Sequence, residues 1–169
     1  MRCPQCGREH LLLEPAFRRP DAVIALSTEE RGRRVIESDD MCFMVPGMAD
    51  EHPRFFLRTV LPIRMQDVDG DTGWGIWVEV AEREASRAWE LWDDPKQAEE
   101  PAFAGSIANR IKRYSDTIGL PVLVQLTGPS TRPRAEFAPT AAHPFVDECR
   151  AGVTTQTVIE WLGEEACRM

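Results

Sequence analysis

Two thiols three residues apart open the chain, in Cys3-Pro4-Gln5-Cys6-Gly7. A Cys-x-x-Cys turn can grip one tetrahedral ion with both thiolates. Pro and Gly suit that turn, because its amides must point at the sulfurs and its last residue favours positive φ. This is half of a zinc knuckle; the other half needs two more ligands, and no second Cys-x-x-Cys follows. The completions within reach are His10, four residues after Cys6, and Cys42, at the start of the next apolar run. The expected metal set is therefore Cys3, Cys6, His10 and Cys42, with Cys149, Cys167, His52 and His143 as alternatives. Four protein ligands close the coordination sphere, so zinc held there is structural and pins the N-terminus to the sheet. A redox dithiol fits less well, since thioredoxin-like chemistry wants the pair at a strand-to-helix junction and nothing ahead of Cys3 can be that strand.

Other candidate chemistry is thinner. Asp67-x-Asp69-x-Asp71 invites a calcium reading, but the sixth and twelfth positions of that loop are Thr72 and Val78 rather than Gly and Glu. Ser106 lacks the Gly-x-Ser-x-Gly elbow, and no phosphate-cradling or dinucleotide-binding glycine loop occurs. His143 beside Pro144 could act as a base with Cys42 as its nucleophile, which keeps a small thiol- or histidine-dependent enzyme as the alternative function. No catalytic residue is assigned. Trp89 and Trp92 read as core packing on one helical face. Trp74 and Trp77 lie three apart, so they point to opposite faces of a strand, and one face of their hairpin is the expected interaction surface.

The elements that must position these groups follow from periodicity. Ser27-Thr28-Glu29-Glu30 is a capping box for a helix through Arg34. Residues 41–45 and 54–65 read as strands, the second bent near Pro62. An Asp/Gly-rich loop over 67–73 and a strand over 74–80 complete a hairpin. A helix over 82–94 carries Ala85, Ala88, Trp89 and Trp92 on one face and stops at Pro95. Strands are expected over 102–111, 120–127 and 135–137, then helices from His143 to Cys149 and from near Thr154. The reading is one α+β domain over 1–169, with a mainly antiparallel sheet, about three helices and an irregular Cys-containing lobe over 1–20.

Composition limits the partners. Lys and Arg total 20 against 28 Asp and Glu, a net charge of −8, whereas phosphate backbones attract clustered cations, so no nucleic-acid partner is expected. Residues 79–100 hold eight acids and three bases and read as a solvated face. No apolar run approaches the ~20 residues of a membrane span. No apolar stretch follows Met1-Arg2-Cys3-Pro4, so no secretory leader is expected and the five cysteines read as cytoplasmic thiols.

Several blocks occur in order: Cys3-x-x-Cys6-Gly7-x-x-His10, Asp40-x-Cys42, Gly73-Trp74-Gly75-Ile76-Trp77-Val78, Glu90-Leu91-Trp92-Asp93-Asp94-Pro95, Arg132-Pro133 and His143-Pro144. Together they resemble the bacterial family called domain of unknown function 2199, over nearly the whole chain. One departure is Val80-Ala81-Glu82, where the family usually has Ser ahead of the helix, so the cap here is weaker. The resemblance implies a bacterial protein without an assigned reaction. The expected role is a binding or interaction module for a protein or small molecule, with a structural zinc at its N-terminus.

Overall fold

The computed structural model describes residues 15–129 and 131–166. Among them are seven strands: β1 (Val35–Glu37), β2 (Met41–Met44), β3 (Arg54–Arg64), β4 (Asp71–Val80), β5 (Phe103–Ile107), β6 (Pro121–Gln125) and β7 (Arg134–Phe137). The α-helices are α1 (Asp21–Ile24), α2 (Thr28–Arg34), α3 (Glu82–Glu90), α4 (Pro144–Ala151) and α5 (Thr155–Ala166). Each strand pairs with the next, and β7 also returns to β3. Strands β3 to β7 therefore close into a five-stranded barrel, from which β1 and β2 extend as a hairpin along β3. This corrects the expected architecture. Instead of a mainly antiparallel sheet with about three helices, the described residues form a closed barrel, seven strands in all and four helices of seven or more residues. Alternation along a strand reports which face is buried, but not whether the first and last edges meet.

Parity dictates how they meet. In an up-and-down order of five strands the first and fifth run the same way, so closure must be parallel. It is made at one register position, Val60 opposite Arg134, where the Val60 N–H donates to Pro133 O at 2.9 Å. The preceding donor on that edge, the Arg58 N–H, goes to Asp40 O at 2.8 Å instead. The next donor on the same edge would belong to Pro62, which has no N–H, so the parallel ladder stops there. Register with β4 on the opposite edge runs through Pro62 unbroken, from Phe55–Val80 to Arg64–Asp71.

The outer edge of β4 is covered in three pieces. Strand β5 pairs Val78 to Val80. Ala108 donates to Trp77 O, and the Asn109 side chain accepts the Trp77 N–H at 2.8 Å. Residues 15–17 take Gly75, whose N–H donates to Pro15 O and whose carbonyl accepts from Phe17 N–H. A Cβ on Gly75 would lie 2.8 Å from Ala16 Cβ, so this close approach requires glycine. Asn109 is wholly buried and also donates to Arg19 O at 2.8 Å and Asp21 Oδ1 at 3.1 Å, stitching the N-terminal segment to the barrel.

Leu57, Leu61 and Ile63 of β3 and Trp74, Ile76 and Val78 of β4 fill the interior, roofed by Phe145 and Val146 of α4 and Val158 and Trp161 of α5. The Trp74 and Trp161 rings sit 4.7 Å apart. On the outer face of β3 and β4, Phe56 and Trp77 pack with Val23 of α1, Cys42 and Met44 of β2, and Ala108. Both hairpin tryptophans are thus buried, one on each face, and neither offers an interaction surface. Asp67 of the β3–β4 turn accepts the Thr155 N–H through both carboxylate oxygens, capping α5.

Helix α3 departs from its expected end. It stops at Glu90 because the next turn tightens: Asp94 N–H reaches back to Leu91 O, Asp94 Oδ1 accepts from Lys96 N–H, and buried Gln97 donates to Trp92 O. Its N-cap, Ala81, supplies no side-chain acceptor. Strand β5 likewise ends at Ile107, four residues before the expected limit, to deliver Asn109 to Trp77.

Asn109→Ala leaves the buried Trp77 N–H without an acceptor and should destabilise the protein by about 1–3 kcal/mol. Urea denaturation checks this, and a loss below about 0.5 kcal/mol would deny Asn109 its linking role.

Candidate functional site

Of the four expected zinc ligands, Cys3, Cys6 and His10 lie outside the described residues. Cys42 sits on β2 with its side chain turned into the apolar cluster of Phe56 and Trp77, only 3% exposed. Burial pushes its thiol up to about 12; Glu37 adds to the rise and Arg19 opposes it. Phe17, seven residues beyond His10, packs against the same cluster, so the described start of the chain lies beside Cys42. Among the described residues no three His, Cys, Asp or Glu side chains are grouped to hold a metal. Of the alternatives, Cys167 lies outside the described residues, His52 is exposed, and Cys149 is buried in the main core, which raises its thiol strongly.

His143 is the N-cap of α4. Its Nδ1 accepts the Phe145 N–H at 3.1 Å, and its Nε2 bonds to Ser115 O. Both ring nitrogens are therefore engaged, and the structure does not bring His143 to Cys42, which belongs to a different side-chain cluster.

One cavity of about 570 Å³ lies between α3 and β5, and three further open features border the β1–β2 hairpin, whose turn is Ser38-Asp39-Asp40. On one side, an apolar groove of about 470 Å³ separates the hairpin from α3. Phe43 and Phe55, stacked at 4.9 Å, lie within it, and Ile36 and Trp89, 69% and 68% exposed, stand over it. Trp89 was expected in the core; the face of α3 that meets the barrel is narrow and buries Ala88 instead. Glu37, paired with Arg19, and Glu90, 3.5 Å from Arg87, lie at the edge of the groove.

On the other side, β2 and β7 diverge from the shared edge of β3, forming a fork. Asp40, beside β2, accepts from Arg132 Nε at 2.7 Å, just ahead of β7, and so ties the two prongs together. A depression of about 530 Å³ opens there between Asp40, Val60, Trp92, Thr131 and Arg132. Three stretches singled out in the sequence, Asp40-x-Cys42, Leu91-Trp92 and Arg132-Pro133, thus converge from distant positions. A smaller pocket of about 210 Å³ is lined by Arg18, Arg19, Glu37, Ser38, Asp39 and Arg58.

The family described as an uncharacterized protein conserved in bacteria, domain of unknown function 2199, matches residues 2–153. The chain belongs to this family. Neither the curated proteins nor the solved structures gave a match. Among the described residues no helix is long and apolar enough to cross a membrane.

Neither the groove nor the fork was located from sequence. The one available signal was Trp89, four positions after Ala85 on a helix with few other large apolar residues. Asp40 and Arg132 lie 92 positions apart, beyond any local spacing rule.

The state of the two buried thiols is directly measurable. Because burial holds both thiols above their ordinary values, they stay protonated near neutral pH, and brief alkylation at pH 8 should leave the peptides carrying Cys42 and Cys149 unmodified. Mass-spectrometric mapping checks this; rapid labelling of Cys42 in the folded protein would contradict its burial.

Proposed function

We propose that the protein is a binding module that receives a basic, amphipathic segment of a partner protein in the groove beside α3. One observation carries this reading: Trp89 and Ile36, each more than two-thirds exposed, flank an apolar trough at the acidic side of the chain. Exposed aromatic side chains over a groove are the usual anchors of peptide recognition. The surplus of eight acids over three bases across residues 79–100 matches a cationic partner and disfavours an acidic one. Engaged ring nitrogens at His143 and a buried, protonated thiol at Cys42 give the enzymatic alternative little support.

The test uses two synthetic helical peptides with the same Leu/Phe face, one bearing Lys and the other Glu on its polar face. Titrated into ¹⁵N-labelled full-length protein, the Lys peptide should bind saturably and shift residues of β1, β2 and α3. Trp89→Ala, an exposed and structurally mild change, should weaken that binding at least about tenfold, near 1.4 kcal/mol. Absence of binding, or an indifferent Trp89→Ala variant, overturns the reading.

The second element of the proposal is a structural zinc held by Cys3, Cys6, His10 and Cys42. Cys42 lies beside the start of the described chain, and a zinc ion bound there would displace the proton that burial otherwise keeps on its thiol. Untagged protein purified without chelator should then carry one zinc, and Cys3→Ser should lose both the metal and several degrees of Tm. Zinc well below stoichiometry in the reduced wild-type protein rejects this site.

A further inference from the structure

Arg58 occupies the middle of β3, where the edge passes from β2 to β7, and its guanidinium is poorly satisfied. Its Nε is shut off from solvent and meets no acceptor, and its best bond is a long one of 3.4 Å from a terminal nitrogen to Asp39 O. Charge does not compensate. Arg19, beside it, is committed to Glu37 through three contacts of 2.7–3.0 Å. Asp40 is committed to Arg132, so Arg58 and exposed Arg18 are left with Asp39 as the one carboxylate of the pocket without an ion pair. Within a chain of net charge −8, this is a local surplus of cations. Burial and the nearby charge of Arg132 both disfavour the charged Arg58, while Asp40 and Asp39 oppose them only in part.

We propose that the arginine pocket at the fork is an oxyanion site, taking the terminal carboxylate or phosphate monoester of a small molecule. Arg58 contributes its two terminal nitrogens, since its Nε is closed to solvent, and exposed Arg18 lines the same pocket, while the Ser38 hydroxyl is engaged within the turn by the Met41 backbone. A volume of about 210 Å³ admits an anionic head group and leaves the rest of the ligand outside. Glu37 does not compete, because Arg19 neutralises it in place, and Asp39 is the one lining carboxylate that the anion must displace from Arg58. The pocket shares Glu37 and Ser38 with the α3 groove, but Arg18, Arg19, Asp39 and Arg58 line it alone, so anion binding is read at residues that the peptide groove does not use.

The experiment follows the arginine Nε–Hε resonances of full-length protein at low ionic strength, titrated separately with inorganic phosphate and with acetate. At least one anion should shift Arg58 saturably, with Kd of about 1–10 mM, and more than it shifts the exposed arginines. Preference for phosphate identifies a phosphate monoester as the natural group; preference for acetate identifies a carboxylate. Arg58→Gln should weaken binding at least tenfold, and Arg58→Lys, which keeps the charge but loses the fork, should weaken it as well. Arg83→Gln removes the same charge from α3 and should change affinity less than twofold. A static Arg58 resonance in the wild-type protein, or equal weakening by Arg83→Gln, overturns the proposal.

Discussion

One edge of β3 holds this fold together. That edge serves two partners in succession, β2 through Arg58 and β7 through Val60, and the second contact closes the barrel. Five strands in up-and-down order leave no other geometry, since their ends run parallel, and Pro62 limits the parallel contact to a single register position. A barrel closed so sparingly relies on what surrounds the seam. The Asp40–Arg132 pair spans it, and helices α4 and α5 press aromatic side chains into the interior behind it. Exposed ion pairs contribute little stability by themselves, so the seam is held chiefly by this packing.

The same handover generates the sites. Where two strands leave a common edge, their side chains no longer fill the space between them, and polar groups gather in the opening. Arg58 is stranded there because its strand position is dictated by the ladder while its side chain emerges beside Arg18, Arg19 and Asp39. On the far side of the hairpin, α3 meets β3 over a small-residue contact at Ala88, leaving Trp89 and the phenylalanine pair without cover. The groove and the arginine pocket are thus two faces of one event, the departure of β1–β2 from the barrel wall.

Local chemistry was legible in the sequence and closure was not. The Ser27–Glu30 capping box forms as read, with Glu30 N–H donating to Ser27 Oγ and Ser27 N–H to Glu30 Oε2. The β3–β4 hairpin forms from the expected strands, with β4 beginning at Asp71, three residues inside the expected loop. These features depend on residues a few positions apart. The assignment of Trp89 to the core failed because helical periodicity identifies an apolar stripe without saying how wide the facing surface is. Helix α3 was overextended because Asp94 and Gln97 draw the backbone into tighter turns, a competition that apolar spacing does not register. The barrel and the fork depend on pairings more than seventy positions apart, Val60 with Arg134 and Asp40 with Arg132. Of the expected metal set, only Cys42 falls among the described residues, and its spacing from Cys6 carried no information about the apolar cluster that surrounds it.

The seam also sets an order on biosynthesis. Val60 leaves the ribosome long before Arg134, so β3 waits with an open edge while the intervening residues are made. Unpaired edges recruit foreign strands. Here the waiting edge carries its own deterrents: β2, already synthesised, can occupy the first half, and the second half combines Pro62, which lacks a donor, with the charged end at Arg64. The residue that restricts closure in the finished barrel also makes the nascent strand a poor template for aggregation.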